Sequence, residues 1–495
     1  MFKGISPAEF FYRNRQMAGF GNPTQALYTS VRELIENSLD SCEEAGVFPK
    51  ISISIKEERS DVVSVRICDN GTGIPSEIVP EAFGKVLFGS KFSSRQRRGT
   101  FGLGVTMSVL YGQISTDSGV EINTKTVNER ARKFRVYIDV EKNAPIVESE
   151  ETGSRNAIGT TVTLTLNGNL KRARERIQEY LRLTAISTPY ARLSLELDDL
   201  TYSFGGTVND LPSYPSISKP HPRSADMEVL RRLIMQNSDL RLQDFLVSSF
   251  QQVGTRTASK FLNFLNLDGR QLVKKLSRKD LIHLSKSLRN YDDFGRPSAD
   301  CLSPIGKESF LSSIRSDYQT SQVSYSARGP LEWEGSPYII EGVLAIGDQF
   351  PLRDIPTLIR FANRVPLLYD SADDVFSKLL KQVTWSRYGV GVKFPVALFV
   401  HFCSTRVPYS AAGKQSIASV ANIDTEILSL YRDLGRRFNR MTSKVRQAGR
   451  YQRKRREFSK TFKLLIKFSM ELAGTSKMPE TESLIDNLFE VDEGV

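Results

Sequence analysis

The chain has 495 residues, 40% hydrophobic and 25% charged, enough for about two to four domains with real cores. Its four cysteines and three histidines are too scattered for a disulfide framework or a zinc centre; no apolar run approaches the roughly 20 residues that span a bilayer, and the opening MFKGISPAEFF lacks the regions of a secretory signal, so a cytoplasmic protein is expected. A net charge of +12 favours a polyanionic partner, nucleic acid first, and fourteen lysines and arginines are concentrated between Arg432 and Lys467.

In chain order, Asn22 and Pro23 form a cap and first turn, and the pattern predicts a helix from there to about Gly46. Wound at about 100° per residue, Leu27, Val31, Leu34, Ile35, Leu39 and Cys42 share one side. Glu33, Glu36, Asn37 and Asp40 share the other. Glu33 and Asn37 are four apart and therefore adjacent. A carboxylate beside an amide suits a water and a metal ion, although the same pattern describes any solvated helix face. Ile51–Ile55 alternates as a strand, and Val62–Cys68 reads as a second that ends in Asp69-Asn70-Gly71-Thr72-Gly73. An N-G pair usually closes a hairpin, yet the following GIPSEIVPEAFGKVLF is helical or irregular. Phe88–Thr106 is glycine-rich and basic before the sequence turns apolar, as in a flexible loop feeding a helix N-terminus. Backbone amides freed there suit phosphate oxygens. No GxxxxGK[ST] occurs, so this is not a Walker A loop, and Gly99–Gly104 does not follow a strand as a dinucleotide fingerprint must.

A further strand is expected over Thr160–Leu166 after Gly159, then a charged helix over about Leu170–Thr184 and strand-like sequence to Phe204. Together these make an α/β sandwich of roughly 215 residues. A Pro- and Ser-rich linker, Asp210–Pro222, leads to helical patterns between Asp226 and Asn290. There Gln252–Thr255 reads as a helix–turn–helix hinge able to present amides to a phosphate backbone, or as part of a plain helical spacer. Ser303–Tyr325 reads as a second junction. Strands follow in PYIIEGVLAIG, TLIRFANRVPLLYD and PVALFVHFCSTRVPY, with a helix at about Ala372–Thr384 between the last two, as in a β-α-β crossover. Lys414 stands on a small-residue loop, where a lysine is ordinarily solvated. A long, basic, amphipathic helix is expected from about Asp424 to Leu472.

Three signals therefore stand in order: Glu33-x3-Asn37 on a helix, Asp69-x-Gly71-x-Gly73 at a strand end, and a glycine loop to Gly104 followed by Gly159-Thr160 on a strand. Together they resemble the GHKL (Bergerat) ATPases, which include type II topoisomerases, heat-shock chaperones, MutL mismatch-repair proteins and histidine kinases. The longer motifs SPAEFF, RELIENSLD, DNGTGIP, RGTFGLGV, RPSAD, RFANRVPL and PYSAAGKQSIA, spread from Ser6 to Ser419, resemble the B subunits of archaeal type IIB topoisomerase, topoisomerase VI. The resemblance implies an α/β multidomain chain: a GHKL ATP-binding sandwich at 1–217, a small helix–two-turn–helix domain at 218–308, a β-α-β transducer at 309–472 that ends in the long helix, and a tail at 473–495.

The same resemblance implies roles. Glu33 is the general base, Asn37 a Mg²⁺ ligand, and Asp69 the acceptor of the adenine amino group, supported by Gly73 and Thr160. Ser90 and Lys91 lie against the nucleotide. Gly99, Thr100, Phe101, Gly102, Leu103, Gly104, Val105 and Thr106 form the phosphate lid. Lys414 reaches the γ-phosphate from the second large domain, so that hydrolysis becomes a domain rotation. Relatives often carry a basic residue after GLGV; Thr106 stands there, which leaves any phosphate role to the loop amides. ATP and Mg²⁺ are implied cofactors, with ATP-dependent homodimerisation and a nucleoid-associated location. So is a partner A subunit in an A2B2 heterotetramer that cuts double-stranded DNA, relaxing positive and negative supercoils. A GHKL chaperone or a mismatch-repair ATPase shares the site. The lack of a long acidic linker speaks against the first, and the inserted helices against the second. The remaining alternative is a non-enzymatic nucleic-acid binder whose glycines are only loops.

Overall fold

The computed structural model describes residues 4–89, 95–99, 102–391, 394–410 and 414–475, apart from the side chains of 444–452. Ser90, Lys91, Thr100 and Phe101, and most of the 473–495 tail, lie outside the described residues.

The first layer of the N-terminal half is an eight-stranded sheet. Its strands are β1 (Lys50–Arg59), β2 (Val62–Cys68), β3 (Val120–Lys125), β4 (Arg132–Asp139), β5 (Ala144–Thr152), β6 (Gly159–Asn167), β7 (Arg192–Leu197) and β8 (Leu200–Gly205), in the order β5-β4-β3-β6-β2-β1-β7-β8. Alternation puts Ile51, Ile53 and Ile55 of β1 on one buried face. Antiparallel pairing aligns Ile53 with Ile67 and Ile55 with Val65, while β1 and β7 run parallel. The β3–β5 meander falls in a stretch for which the sequence suggested no element. Its strands are six, eight and nine residues long, and most outward residues of β4 and β5 are polar.

The second layer is helical. It holds α1 (Pro7–Arg13), α2 (Pro23–Glu44), α3 (Val79–Gly84), α4 (Gly104–Thr116) and α5 (Leu170–Ser187). Asn22 caps α2, its side chain accepting from the Gln25 amide, with Pro23 at the first turn. Leu27, Val31, Leu34, Ile35 and Leu39 of α2 pack into the same core as the sheet's inner face.

A helical cluster follows: α6 (Met227–Gln236), α7 (Leu242–Ser249), α8 (Thr255–Leu265) and α9 (Arg278–Asn290). It has a core of its own that includes Leu230, Phe245, Phe261 and Leu284. Gln252–Thr255 falls between α7 and α8. The stretch read as a second junction is instead largely a helix, α10 (Lys307–Tyr318), followed by the start of a strand. Its Phe310, Ile314 and Tyr318 recur every four residues and are buried, a stripe that the intervening serines conceal in the sequence.

The last unit is a five-stranded sheet of β9 (Gln322–Trp333), β10 (Ser336–Ile346), β11 (Thr357–Ala362), β12 (Val365–Pro366) and β13 (Val396–Ser404), in the order β12-β11-β13-β10-β9. Every residue of β13 is buried, as fits a central strand covered on both faces. β11 and β13 are parallel, joined through α11 (Val375–Leu380). This helix is shorter than the periodicity suggested at both ends; Asp374 sets its start, accepting from the amides of Phe376 and Ser377. Helix α12 (Ala421–Ala473) then runs for 53 residues. Ile423, Ile427, Tyr431 and Phe438 pack on the sheet, whereas Leu464, Leu465, Phe468 and Leu472 near the far end are exposed. Among the described residues, no helix is long and apolar enough to cross a membrane.

Candidate functional site

A cavity of about 620 Å³ lies between α2, the turn after β2, the start of α4, and β6. Glu33 and Asn37 border it, side by side on α2 as their spacing requires. Glu33 is only 6% exposed, and its Oε1 accepts from Arg32 Nη2 at 2.6 Å. Asn37 Nδ2 donates to the Glu33 carbonyl at 2.8 Å, so the amide oxygen is the atom whose chemistry suits a hard cation. Helix α4 starts directly over the carboxylate: a Cβ on Gly104 would stand 1.7 Å from Glu33 Oε2. Glycine alone permits that approach.

Opposite, Asp69 is held at three points. Oδ1 accepts from the amides of Gly71 at 2.9 Å and Thr160 at 3.1 Å, and Oδ2 accepts from Ser38 Oγ at 3.1 Å. Burial pushes its carboxyl above the usual range, against the pull of those donors. Gly73 has φ +72°, and a Cβ there would meet the Lys125 carbonyl at 2.2 Å, so both backbone and space require glycine. The Thr160 hydroxyl lies 3.3 Å from that of Thr124. Gly99, Gly102, Leu103, Gly104 and Val105 line the cavity near the start of α4. Thr106 borders it too, but its hydroxyl donates to the Leu103 carbonyl at 3.1 Å.

Two readings of single residues change. Glu36 does not lie on a solvated face; it is 1% exposed, with Arg32 Nε 3.3 Å from Oε1. Burial, and then the charge of Glu33, push its carboxyl up to about 7. The second sheet's loops cover this side of α2, which no single-helix pattern shows. Lys414 is not solvated either. It is 5% exposed with φ +54°, lines the same cavity, and donates to the Arg98 carbonyl at 3.2 Å, across 316 residues of chain. A buried acceptor carboxylate, a second carboxylate beside an amide, a glycine-lined helix start and a lysine from far along the chain are groups whose chemistry suits a nucleoside triphosphate.

The chain is similar to known proteins along most of its length. Residues 22–169 match the family described as histidine kinase-, DNA gyrase B-, and HSP90-like ATPase, and residues 297–455 match the transducer of the topoisomerase VI B subunits. Over 455 residues the chain is 38% identical to the B subunit of type 2 DNA topoisomerase 6 from Saccharolobus islandicus (strain Y.N.15.51), covering 90% of this chain and 86% of that protein. The B subunits of the same enzyme from Saccharolobus shibatae and Saccharolobus solfataricus match at the same identity and coverage. The chain belongs to the family of type 2 DNA topoisomerase 6 B subunits. By family it is the ATP-driven B subunit of a type II topoisomerase, and the cavity lies largely within its ATPase region. A solved structure of the N-terminal domain of a DNA repair protein aligns at a TM-score of 0.42 and 14% identity, over 87% of this chain and 98% of that one.

Some residues that build the site of this topoisomerase component escape sequence reasoning. Arg155, on the loop before β6, donates to the Asp69 carbonyl, to Thr161 Oγ1 at 2.6 Å and to the Ala157 carbonyl at 3.0 Å. It braces the strand end that carries Asp69. Most of its partners are main-chain atoms, so no residue pattern announces it. Ser38 and Arg32 flank the functional pair on α2, and only burial of that side reveals them.

Proposed function

We propose that the cavity binds and hydrolyses ATP to drive DNA strand passage in a complex with a partner A subunit. The observation that carries this reading is the burial of Lys414, a residue of the transducer region, in the cavity that Glu33 borders. Asp69 reads the adenine amino group, with Gly73 and Thr160 shaping its approach. Amides of Gly99, Gly102, Leu103, Gly104, Val105 and Thr106 at the start of α4 face the phosphates. Glu33, oriented by Arg32, takes the proton of the attacking water. The Asn37 oxygen beside Glu33 fits Mg²⁺, which when bound neutralises phosphate charge. The resemblance adds Ser90 and Lys91 against the nucleotide, and Thr100 and Phe101 to the lid over the phosphates. Lys414 pairs with the γ-phosphate, and its loss on hydrolysis removes the lysine's partner and turns the second sheet against the first.

In this reading ATP closes a homodimer of B subunits. The complex is an A2B2 heterotetramer, the A subunits cut and reseal double-stranded DNA, both signs of supercoil are relaxed, and the work is done at the nucleoid. The domain limits remain 1–217, 218–308, 309–472 and 473–495, with α10 beginning two residues before the transducer limit at 309.

The test is Glu33→Ala in the complex with an A subunit and supercoiled DNA. DNA-stimulated ATP turnover falls by at least about 100-fold while ATP still binds, the scale of a general base. Turnover that survives in the folded variant overturns the assignment. Turnover indifferent to DNA favours a chaperone-type ATPase.

A further inference from the structure

We infer that residues 95–98 form a coupling strap in which Gln96 and Arg98 are positioning residues, tying the ATP site to the transducer; the inference rests on the ATP-driven reading above. The segment enters the seam between the two sheets. Gln96 Nε2 donates to the Ser303 carbonyl at 2.9 Å, and its Oε1 accepts from the Ser303 amide at 2.6 Å and from the Cys403 thiol at 3.1 Å. The Arg97 carbonyl accepts from Asn363 Nδ2 at 3.2 Å, and the Arg98 carbonyl accepts from Lys414 Nζ at 3.2 Å. Three successive residues are thus each held by the stretch 297–455 that matches the transducer family, to which Ser303 belongs although it precedes 309.

The opposite grip is the Arg98 side chain. Nη1 donates to Asp40 Oδ1 at 2.9 Å, and Nη1 and Nη2 fork onto Glu43 at 3.0 and 2.6 Å, at the end of α2. Glu43 lies 3.7 Å from Arg364 Nη1, which donates to Tyr190 Oη at 2.6 Å; Arg364 Nη2 donates to Ser303 Oγ at 2.7 Å. A few residues beyond Arg98, Gly102 and Gly104 line the cavity, the latter against Glu33.

Apolar side chains would fill this space at lower desolvation cost than a buried arginine between carboxylates. What the polar contacts add is direction. A bidentate fork and a glutamine paired to a main-chain N–H and C=O have one low-energy arrangement, whereas apolar contacts slide. A displacement of the transducer therefore moves the strap, and with it the start of α4, where Gly104 stands against Glu33. The Arg98 carbonyl also holds the Lys414 ammonium at the cavity edge, so the lysine and the strap move as a unit.

The experiment uses Gln96→Ala in the complex with an A subunit, with ATP hydrolysis and relaxation of supercoiled DNA followed in one reaction. Gln96 does not line the cavity, so the KM for ATP and the turnover stay within about twofold, while ATP consumed per strand passage rises by about tenfold, a scale that loss of buried hydrogen bonds allows. Asn363→Gly, which the φ of +46° at Asn363 tolerates, removes the Arg97 tie together with the two bonds between the Asn363 side chain and the Ser404 main chain, and raises the same ratio. A ratio unchanged in the folded variants, with turnover and passage falling together, reduces the strap to packing and overturns the inference. Should Gln96→Ala fail to fold, Asn363→Gly decides. A wild-type complex without DNA-stimulated ATPase would instead overturn the functional reading itself.

Discussion

Two seams join the transducer sheet to the rest of the chain, and they are built from different chemistry. Where the ATPase sandwich meets it, Leu183 and Ile186 of α5 share one core with Phe310 of α10 and with Val343, Phe361 and Phe399 of the sheet. Around that core run the Glu43–Arg364 ion pair at 3.7 Å, with the Arg98–Glu43 fork beside it on the sandwich side, and the bond from Ser187 Oγ to the Arg364 carbonyl at 2.6 Å. Where the helical cluster meets the sheet, Arg223 reaches Glu332 at 3.2 Å with 31% and 15% of the side chains exposed, and Gly335 approaches Ser224. The cluster's core is its own. The first seam has the density and fixed polar geometry that transmit a displacement. The second resembles a surface contact, across which rotation costs little.

The largest test of that contrast is Arg98→Ala. It leaves the Glu43 and Asp40 carboxylates buried without this cation and should cost about 3–5 kcal/mol, read by denaturant unfolding of the isolated chain. A loss below about 1 kcal/mol would place the fork among exposed ion pairs and erase the difference between the seams.

Acid provides the next test. Burial alone would raise the Glu43 carboxyl, but the charges of Arg98 and Arg364 hold it below the usual glutamate range. The folded value is therefore lower than the unfolded one. Its contribution is fully present above the unfolded value and is lost as pH falls through the folded value. Wild-type stability should fall more steeply than that of Glu43→Gln between about pH 6 and pH 3, the carboxylate window. At neutral pH the variant is the less stable of the two. Parallel curves would mean that the first seam's charges do not stabilise it.

What the sequence revealed tracks how local each cause is. The start of α2 was legible because Asn22 and Pro23 act within one turn, and Glu33 and Asn37 were adjacent on paper because helical spacing is local. β1, β2 and β6 showed in their alternation. The buried state of Glu36 and Asp40 was invisible, because α2's second side is covered by residues far along the chain, Lys414 near Glu36 and Arg98 on Asp40. Arg98 read as one more base in a basic loop, since its partners Asp40 and Glu43 lie 58 and 55 residues back. Arg155 had no pattern at all, because most of what it grips is main chain. The strongest signal, the order of three motifs, was visible only by resemblance.

The smallest expected effect falls at the second seam. Arg223→Ala removes a part-exposed ion pair, so unfolding should shift by about 1 kcal/mol or less, and less still at high salt, which screens such pairs. Its decisive readout is coupling. If the helical cluster rides on the transducer without transmitting to the ATP site, ATP consumed per strand passage stays at the wild-type value in Arg223→Ala while it rises in Gln96→Ala. A rise in both would mean that the exposed contact carries displacement as the buried one does. Directional coupling would then follow from any tie to the sheet, and the buried polar geometry around Arg98 would no longer be what distinguishes the two seams.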